Sequence, residues 1–154
     1  KVLEKRKDLA VVIIGEGEAK NELIELSRTL NVIDRTLFLD YLPTPYNYLS
    51  LFDVYAMCSR SEGFGLAAVE ATLMQTPVVC SNISIFKEIF DDTKVSFFEL
   101  DNISSLLESI NIAISTIGKL KAKVALNYSL NNFSGYKMAS NYLDIYSNLL
   151  NGKI

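Results

Sequence analysis

The feature that most constrains this chain is an alternation: short, apolar, β-branched runs are separated by segments of helical period. Leu9–Ile14, Thr36–Leu39, Val54–Cys58, Pro77–Cys80 and Lys94–Phe98 read as strands, with Ala19–Leu30, Tyr46–Leu51, Gly65–Gln75 and Ile85–Phe90 as the helices between them. Strands joined through helices run parallel, and the twist of a strand makes the crossover right-handed, so helices cover both faces of the sheet. Beyond Phe98 the strand pattern stops, and Ile103–Ile117, Leu120–Leu126 and Phe133–Leu150 read as helices. The expected fold class is α/β, a Rossmann-like parallel sheet with helices on both faces and a helical C-terminal tail. In the last helix Phe133, Tyr136, Ala139, Leu143, Tyr146 and Leu150 form an apolar stripe that needs a surface to pack on.

Length and composition narrow the function. A chain of 154 residues, 49% apolar and 21% charged, suits one folded domain with its own core. Its longest apolar run, Leu9–Ile14, is far short of the roughly 20 residues that span a bilayer. The net charge of −3, with 15 basic residues scattered along the chain, leaves no footprint for nucleic acid. Histidine is absent, which removes Ser-His-Asp and Cys-His catalysis and any His-based metal site from this chain. Cys58 and Cys80 lie in strand-like stretches and read as small core residues of a reducing compartment, so a cytoplasmic location is expected. Lys1–Asp8 looks like the end of a helix feeding the first strand, as in a piece of a longer protein.

In an open parallel sheet the ligand crevice lies beyond the carboxyl ends of the strands. Gly15-Glu16-Gly17 follows the first strand, but Lys20 stands where a third glycine of a dinucleotide fingerprint would be, which disfavours a nicotinamide site. Two readings of this glycine pair stay open: a tight strand-to-helix turn, or a close approach of ligand to backbone. The loop after the third strand says more: Ser59-Arg60-Ser61-Glu62-Gly63-Phe64-Gly65 runs into Leu66-Ala67-Ala68-Val69-Glu70. A helix starting near Gly65 aims free N–H groups and the positive end of its dipole into the crevice, where they suit a phosphate. Glu62 in the loop and Glu70 on an apolar helix flank that position, and carboxylates accept hydrogen bonds from vicinal hydroxyls. A phosphate between two sugars describes a nucleotide sugar.

This stretch resembles the retaining glycosyltransferases of the GT-B fold, family-4 type, whose donor half carries E-G-F-G-x-x-x-x-E. Val12-Ile13-Ile14-Gly15-Glu16-Gly17, Phe38-Leu39-Asp40-Tyr41-Leu42-Pro43, Pro77-Val78-Val79, Ile85-Phe86-Lys87-Glu88-Ile89 and Phe133-Ser134 fall in the family's order and spacing. The resemblance implies that Glu62 contacts the transferred sugar, as the catalytic carboxylate, and that Glu70 holds the ribose. It implies that Gly63, Phe64, Gly65 and Leu66 present amides to the diphosphate, that Gly15 and Gly17 lie against the same ligand, and that Leu42, in the segment Tyr41–Pro43, borders the base. The expected partner is a nucleotide diphosphate sugar, and no metal or cofactor is expected.

The resemblance further implies that residues 1–154 form the C-terminal, donor-binding domain, lacking its first strand and helix and the N-terminal acceptor domain. Such an isolated piece is expected to be inactive and to self-associate weakly through its last helix. The parent protein is expected to act in bacterial surface polysaccharide or glycolipid assembly, as a peripheral protein of the inner membrane. Ser84-Ile85 departs from the family's Gly-Gly pair, and Arg60 and Lys20 read as solvated rather than phosphate-binding. The rival reading is a non-catalytic binding or interaction module on the same fold.

Overall fold

A computed structural model describes residues 1–152. The parallel strands are β1 (Val11–Ile14), β2 (Thr36–Leu39), β3 (Tyr55–Met57), β4 (Val78–Ser81) and β5 (Ser96–Phe98). The α-helices are α1 (Val2–Lys5), α2 (Lys20–Thr29), α3 (Leu66–Leu73), α4 (Ser84–Ile89), α5 (Ile103–Ile114), α6 (Thr116–Asn132) and α7 (Gly135–Leu150). The fold class read from the alternation holds: parallel strands, helices on both sides and a helical tail.

The strand β4 shows why. All four of its residues are buried, and its side chains divide by parity as a strand requires. Val78 and Cys80 join Ala68, Val69 and Ala71 of α3 and Phe86 and Ile89 of α4 in one cluster, while Val79 packs with Phe98 and with Ala113 of α5 in another. A strand covered on both faces has no polar side, which is why its sequence reads as a continuous apolar run.

Several elements differ from the sequence reading. Strands β1 and β2 form one sheet, and β3, β4 and β5 another, so β1 and β3 each carry an edge without a strand partner. The segment Pro45–Leu51 is a 3-10 helix, tighter than the helix expected there, because Pro45 at its start and Thr76 Oγ1 donating to the Leu49 carbonyl at 2.8 Å fix a short compact turn. The break expected between Ile117 and Leu120 falls at Ser115, whose hydroxyl accepts from Ile117 N at 3.1 Å and opens α6. Cys80 is a core residue as expected, but Cys58 is exposed at the end of β3, since the strand stops one residue short of it. Neither cysteine is in a disulfide, and burial pushes the Cys80 thiol up to about 12.

The β1–β2 unit is tied down by polar contacts more than by a core. Arg35 donates to the carbonyls of Leu3, Arg6 and Leu9 at 2.7, 2.9 and 3.0 Å, fastening α1 and the entry to β1 onto the start of β2. Arg6 in turn donates to Asn111 of α5, the side-chain link between this unit and the three-stranded sheet. Leu26 and Leu37 remain more than half exposed on this unit.

The α5–α6 corner rests on Gly118. A Cβ there would overlap the Ala113 carbonyl, so Gly118→Ala forces the two helices apart. We expect a loss of about 1–3 kcal/mol in a denaturant titration, as for overpacking in general. Gly135→Ala, where a Cβ meets nothing within 4 Å, should leave the midpoint unchanged or slightly raised.

Candidate functional site

The loop between β3 and α3 stands at the carboxyl end of β3, where a parallel sheet places its ligands. Gly65 is the N-cap of α3 in the left-handed region, with φ +81°. Its carbonyl accepts from Ala68 N at 3.0 Å and Val69 N at 3.3 Å. No acceptor among the described residues takes Leu66 N or Ala67 N, and no side chain caps the helix. Two amides and the positive end of the dipole therefore face outward with no internal anion, an arrangement suited to an oxyanion.

Gly65 itself is held by sterics. A Cβ at this position would sit 2.5 Å from Cε1 of the fully buried Phe86 ring, in a backbone conformation that already disfavours side chains. Gly63, by contrast, has nothing within 4 Å of where its Cβ would be. Phe64 is half-exposed and meets Phe133 edge-on at 5.7 Å, and Phe133 meets Tyr128 at 5.6 Å, so the end of α6 braces the loop. The sequence reading placed Phe133 on a helical stripe; its ring instead lies at the joint between α6 and α7, supporting the glycine-rich turn.

Glu62 and Glu70 are both partly buried, and neither has a hydrogen-bond or ion-pair partner among the described residues. Unpaired carboxylates removed from part of their water favour added donors. Both lie close enough to Tyr55 to act on its phenol, a residue that the sequence reading did not single out. Burial first, then the charges of Cys80, Glu70, Glu62 and Cys58, raise the Tyr55 pKa to about 12. Its hydroxyl donates to Met57 Sδ at 3.2 Å. No motif marked Tyr55, because a tyrosine in a strand looks like any β-former.

The loops of the other sheet form a second cluster. Gly15 has φ +140° and donates to the Leu39 carbonyl at 3.1 Å, while Gly17 O accepts from Lys20 N at 3.1 Å, closing the turn into α2. Glu16 accepts from Tyr41 N at 3.4 Å, Lys20 pairs with Asp40, and Leu42 is half-buried beside them. A shallow groove of about 210 Å³ runs along Ile14, Gly15, Gly17 and Lys20. The structure thus gathers Gly15, Gly17 and Leu42 in one place and Glu62, Gly63, Phe64, Gly65, Leu66 and Glu70 in another. Among the described residues no hydrogen bond joins the two groups.

Arg60 has the surface role expected for it, whereas Lys20 is only partly exposed and, paired with Asp40, lines the groove beside Gly15 and Gly17. Arg60 makes a two-pronged pair with Asp101 at 2.7 and 2.9 Å, which holds that carboxyl below its ordinary range.

Comparison with known proteins places the chain. The model of the family described as "Glycosyl transferases group 1" matches residues 1–127. The chain belongs to this family. It is 36% identical over 147 residues to the O-antigen biosynthesis glycosyltransferase WclY of Escherichia coli, covering 96% of this chain and 41% of that protein. It is also 33% identical over 107 residues to a Campylobacter jejuni enzyme, N-acetylgalactosamine-N,N'-diacetylbacillosaminyl-diphospho-undecaprenol 4-alpha-N-acetylgalactosaminyltransferase, covering 68% of this chain and 29% of that enzyme. The chain therefore spans less than half the length of these relatives. In fold it resembles Anabaena Alr3699/HepE, crystallised in complex with UDP, with a TM-score of 0.87 at 19% identity, covering 96% of this chain and 43% of that one.

Two outcomes test this geometry. Gly65→Val should lower the unfolding midpoint, because strain at positive φ and the clash with Phe86 both add to the folded state; Gly63→Ala, which has room, should not. For Tyr55, a folded-state pKa near 12 lies above the ordinary value of 10.0, so its contribution to stability is complete below pH 10 and is lost as pH rises toward 12. Unfolding free energies measured across that window should fall with pH in the native chain and fall less steeply in Tyr55→Phe.

Proposed function

We propose that this chain is the donor-binding part of a longer glycosyltransferase that moves a sugar from a nucleotide diphosphate sugar onto a polysaccharide or glycolipid acceptor, with retention of configuration. The observation that carries the reading is the pair Glu62 and Glu70, each partly buried and without a partner among the described residues, one before and one after the open amides of Leu66 and Ala67 along the chain. In this scheme Glu70 accepts hydrogen bonds from the ribose, Glu62 from the transferred sugar, and the amides hold the diphosphate. As the sugar–phosphate bond breaks, negative charge grows on the departing phosphate, and the fixed dipole of α3 stabilises it without reorganising. Gly15, Gly17 and Leu42 border the nucleoside from the other sheet.

The two sheets are consistent with this role. Among the described residues β1 and β3 each keep an edge without a strand partner, and in this scheme one further parallel strand between them would bring the two loop clusters to a common crevice. The α7 helix buries none of its residues and exposes Tyr142, Leu143, Tyr146 and Leu150; an acceptor-binding half is the surface we assign to it, with weak self-association as the alternative when that half is missing. No helix among the described residues is long and apolar enough to cross a membrane.

Calorimetry on the complete protein tests the assignment. Glu70→Gln removes charge from one carboxylate at constant volume and should weaken binding of a nucleoside diphosphate by about 1.5–3 kcal/mol, the worth of a charged hydrogen bond. Glu62→Gln should leave that affinity intact and lower the rate of sugar transfer. Unchanged nucleotide affinity in Glu70→Gln would return Glu70 to a purely structural role, and unchanged transfer in Glu62→Gln would remove Glu62 from the site.

A further inference from the structure

The loop that carries Glu62 is suspended by side chains at its two ends. From Ser61 to Phe64 the main chain makes no hydrogen bond among the described residues, and the Glu62 carboxylate has no partner there. Gly63 has no side chain to anchor, and nothing lies within 4 Å of where its Cβ would be. On the upstream side the chain is fixed at Ser59, whose carbonyl accepts from Ser81 Oγ at 2.6 Å, and at Arg60, which pairs with Asp101. On the downstream side the first hold is the ring of Phe64, edge-on to Phe133 at 5.7 Å. Only Ser61, Glu62 and Gly63 separate these holds, so the two anchors together set where the Glu62 carboxylate stands.

The two anchors differ in strength. The Arg60 and Asp101 side chains are 71% and 70% exposed, and an ion pair in water contributes little. The aromatic anchor is backed by the core. Phe133 and Tyr128 both pack against the cluster that holds Ala68, Val69 and Phe86, and the two rings meet edge-on at 5.6 Å. Tyr128 is held in turn by Lys94, whose Nζ lies 4.6 Å from the ring centre and pairs with Asp91. Glu70 needs none of this. It stands on α3, which is seated by buried Ala68 and Ala71 and by the Gly65 turn against Phe86. The aromatic chain thus reaches one of the two carboxylates and leaves the other to the core.

We propose that Phe133 is a positioning residue for Glu62: through the ring of Phe64 it holds the loop where the Glu62 carboxylate meets the transferred sugar. The inference rests on the reading of Glu62 as the carboxylate of the transfer step. An edge-to-face ring contact fixes distance and direction together, and a small displacement at a reacting centre costs rate far out of proportion to the stability lost. Removing the ring edge therefore lowers turnover, while the nucleotide, held by Glu70 and the amides at the start of α3, binds as before. The Arg60–Asp101 pair is the lesser of the two anchors.

Kinetics of the complete protein test it. Phe133→Leu should lower kcat for sugar transfer roughly tenfold or more, with circular dichroism and nucleoside diphosphate affinity unchanged. Phe64→Leu, at a half-exposed position outside the core, should do the same and carries the test if the core does not tolerate Phe133→Leu. Asp101→Asn should lower the rate less than about fivefold. Because the ring acts through Glu62, adding either leucine substitution to Glu62→Gln should change the rate no further, whereas a ring that only stabilised the fold would lower both backgrounds alike. If Glu62→Gln impairs transfer and the leucine variants do not, or if they lower the rate equally in both backgrounds, the proposal falls and the donor-site reading stands. Nucleotide affinity that falls together with kcat overturns it as well. If Glu62→Gln itself leaves transfer unchanged, the reading of Glu62 fails and takes the proposal with it.

Discussion

The candidate site depends on one steric relation, the left-handed turn at Gly65 against the ring of Phe86. The ring is fully buried and belongs to α4, so the turn is fixed by the core that surrounds β4 rather than by its own loop. Because the turn reverses the chain within one residue, α3 begins abruptly, without a capping side chain. An N-terminus without a cap carries a cost in an isolated helix, since its first amides go without acceptors. Here the helix is retained by its other end and flank: Ala68 and Ala71 are fully buried, and Thr72 donates to the Val69 carbonyl and shares a hydrogen bond with Ser129 of α6. The core supplies the stability that the exposed amides forgo, and this leaves them available to an external anion.

The same division explains what the sequence revealed and what it concealed. Elements with a strong period were legible: β4 as an unbroken apolar run, α3 between glycines and the buried Pro77–Cys80 stretch, and α5 from its apolar spacing. The Glu62-to-Glu70 motif was legible too, because its residues are contiguous along the chain and each type has a distinct chemical use. Contacts that close over long sequence separations left no local trace. Phe64 against Phe133, Arg35 against the carbonyls of Leu3, Arg6 and Leu9, and Gly65 against Phe86 are all tertiary relations. For Gly65 the resemblance implied an amide presented to the diphosphate, whereas its positive φ and the buried Phe86 ring already suffice to require glycine.

The division of strands into two sheets was invisible for a related reason. Periodicity identifies strands and connection length makes them parallel, but neither says which strand pairs with which. In the structure the β1–β2 unit and the three-stranded unit differ in kind. The second has central β4 buried on both faces and clusters on each side. The first keeps Leu26 and Leu37 exposed and relies on Arg35 as a polar fastener. A guanidinium that donates to three carbonyls can hold a chain segment in place where apolar area is scarce, because each charge-assisted bond is stronger than a neutral one.

The arrangement of α6 follows from its place between these requirements. It must approach α5 and α3 closely, because Ser129 reaches Thr72 only if the axes of α6 and α3 are near, and small residues on the inner face permit that. Close packing through glycine and alanine, however, buries little apolar area per residue. Large aliphatic side chains on the outer face, such as Leu120 and Val124, therefore do not stabilise the isolated domain. The end of α6 serves the site in another way, since Phe133, held edge-on by Tyr128, meets Phe64 and so braces the loop that carries Glu62.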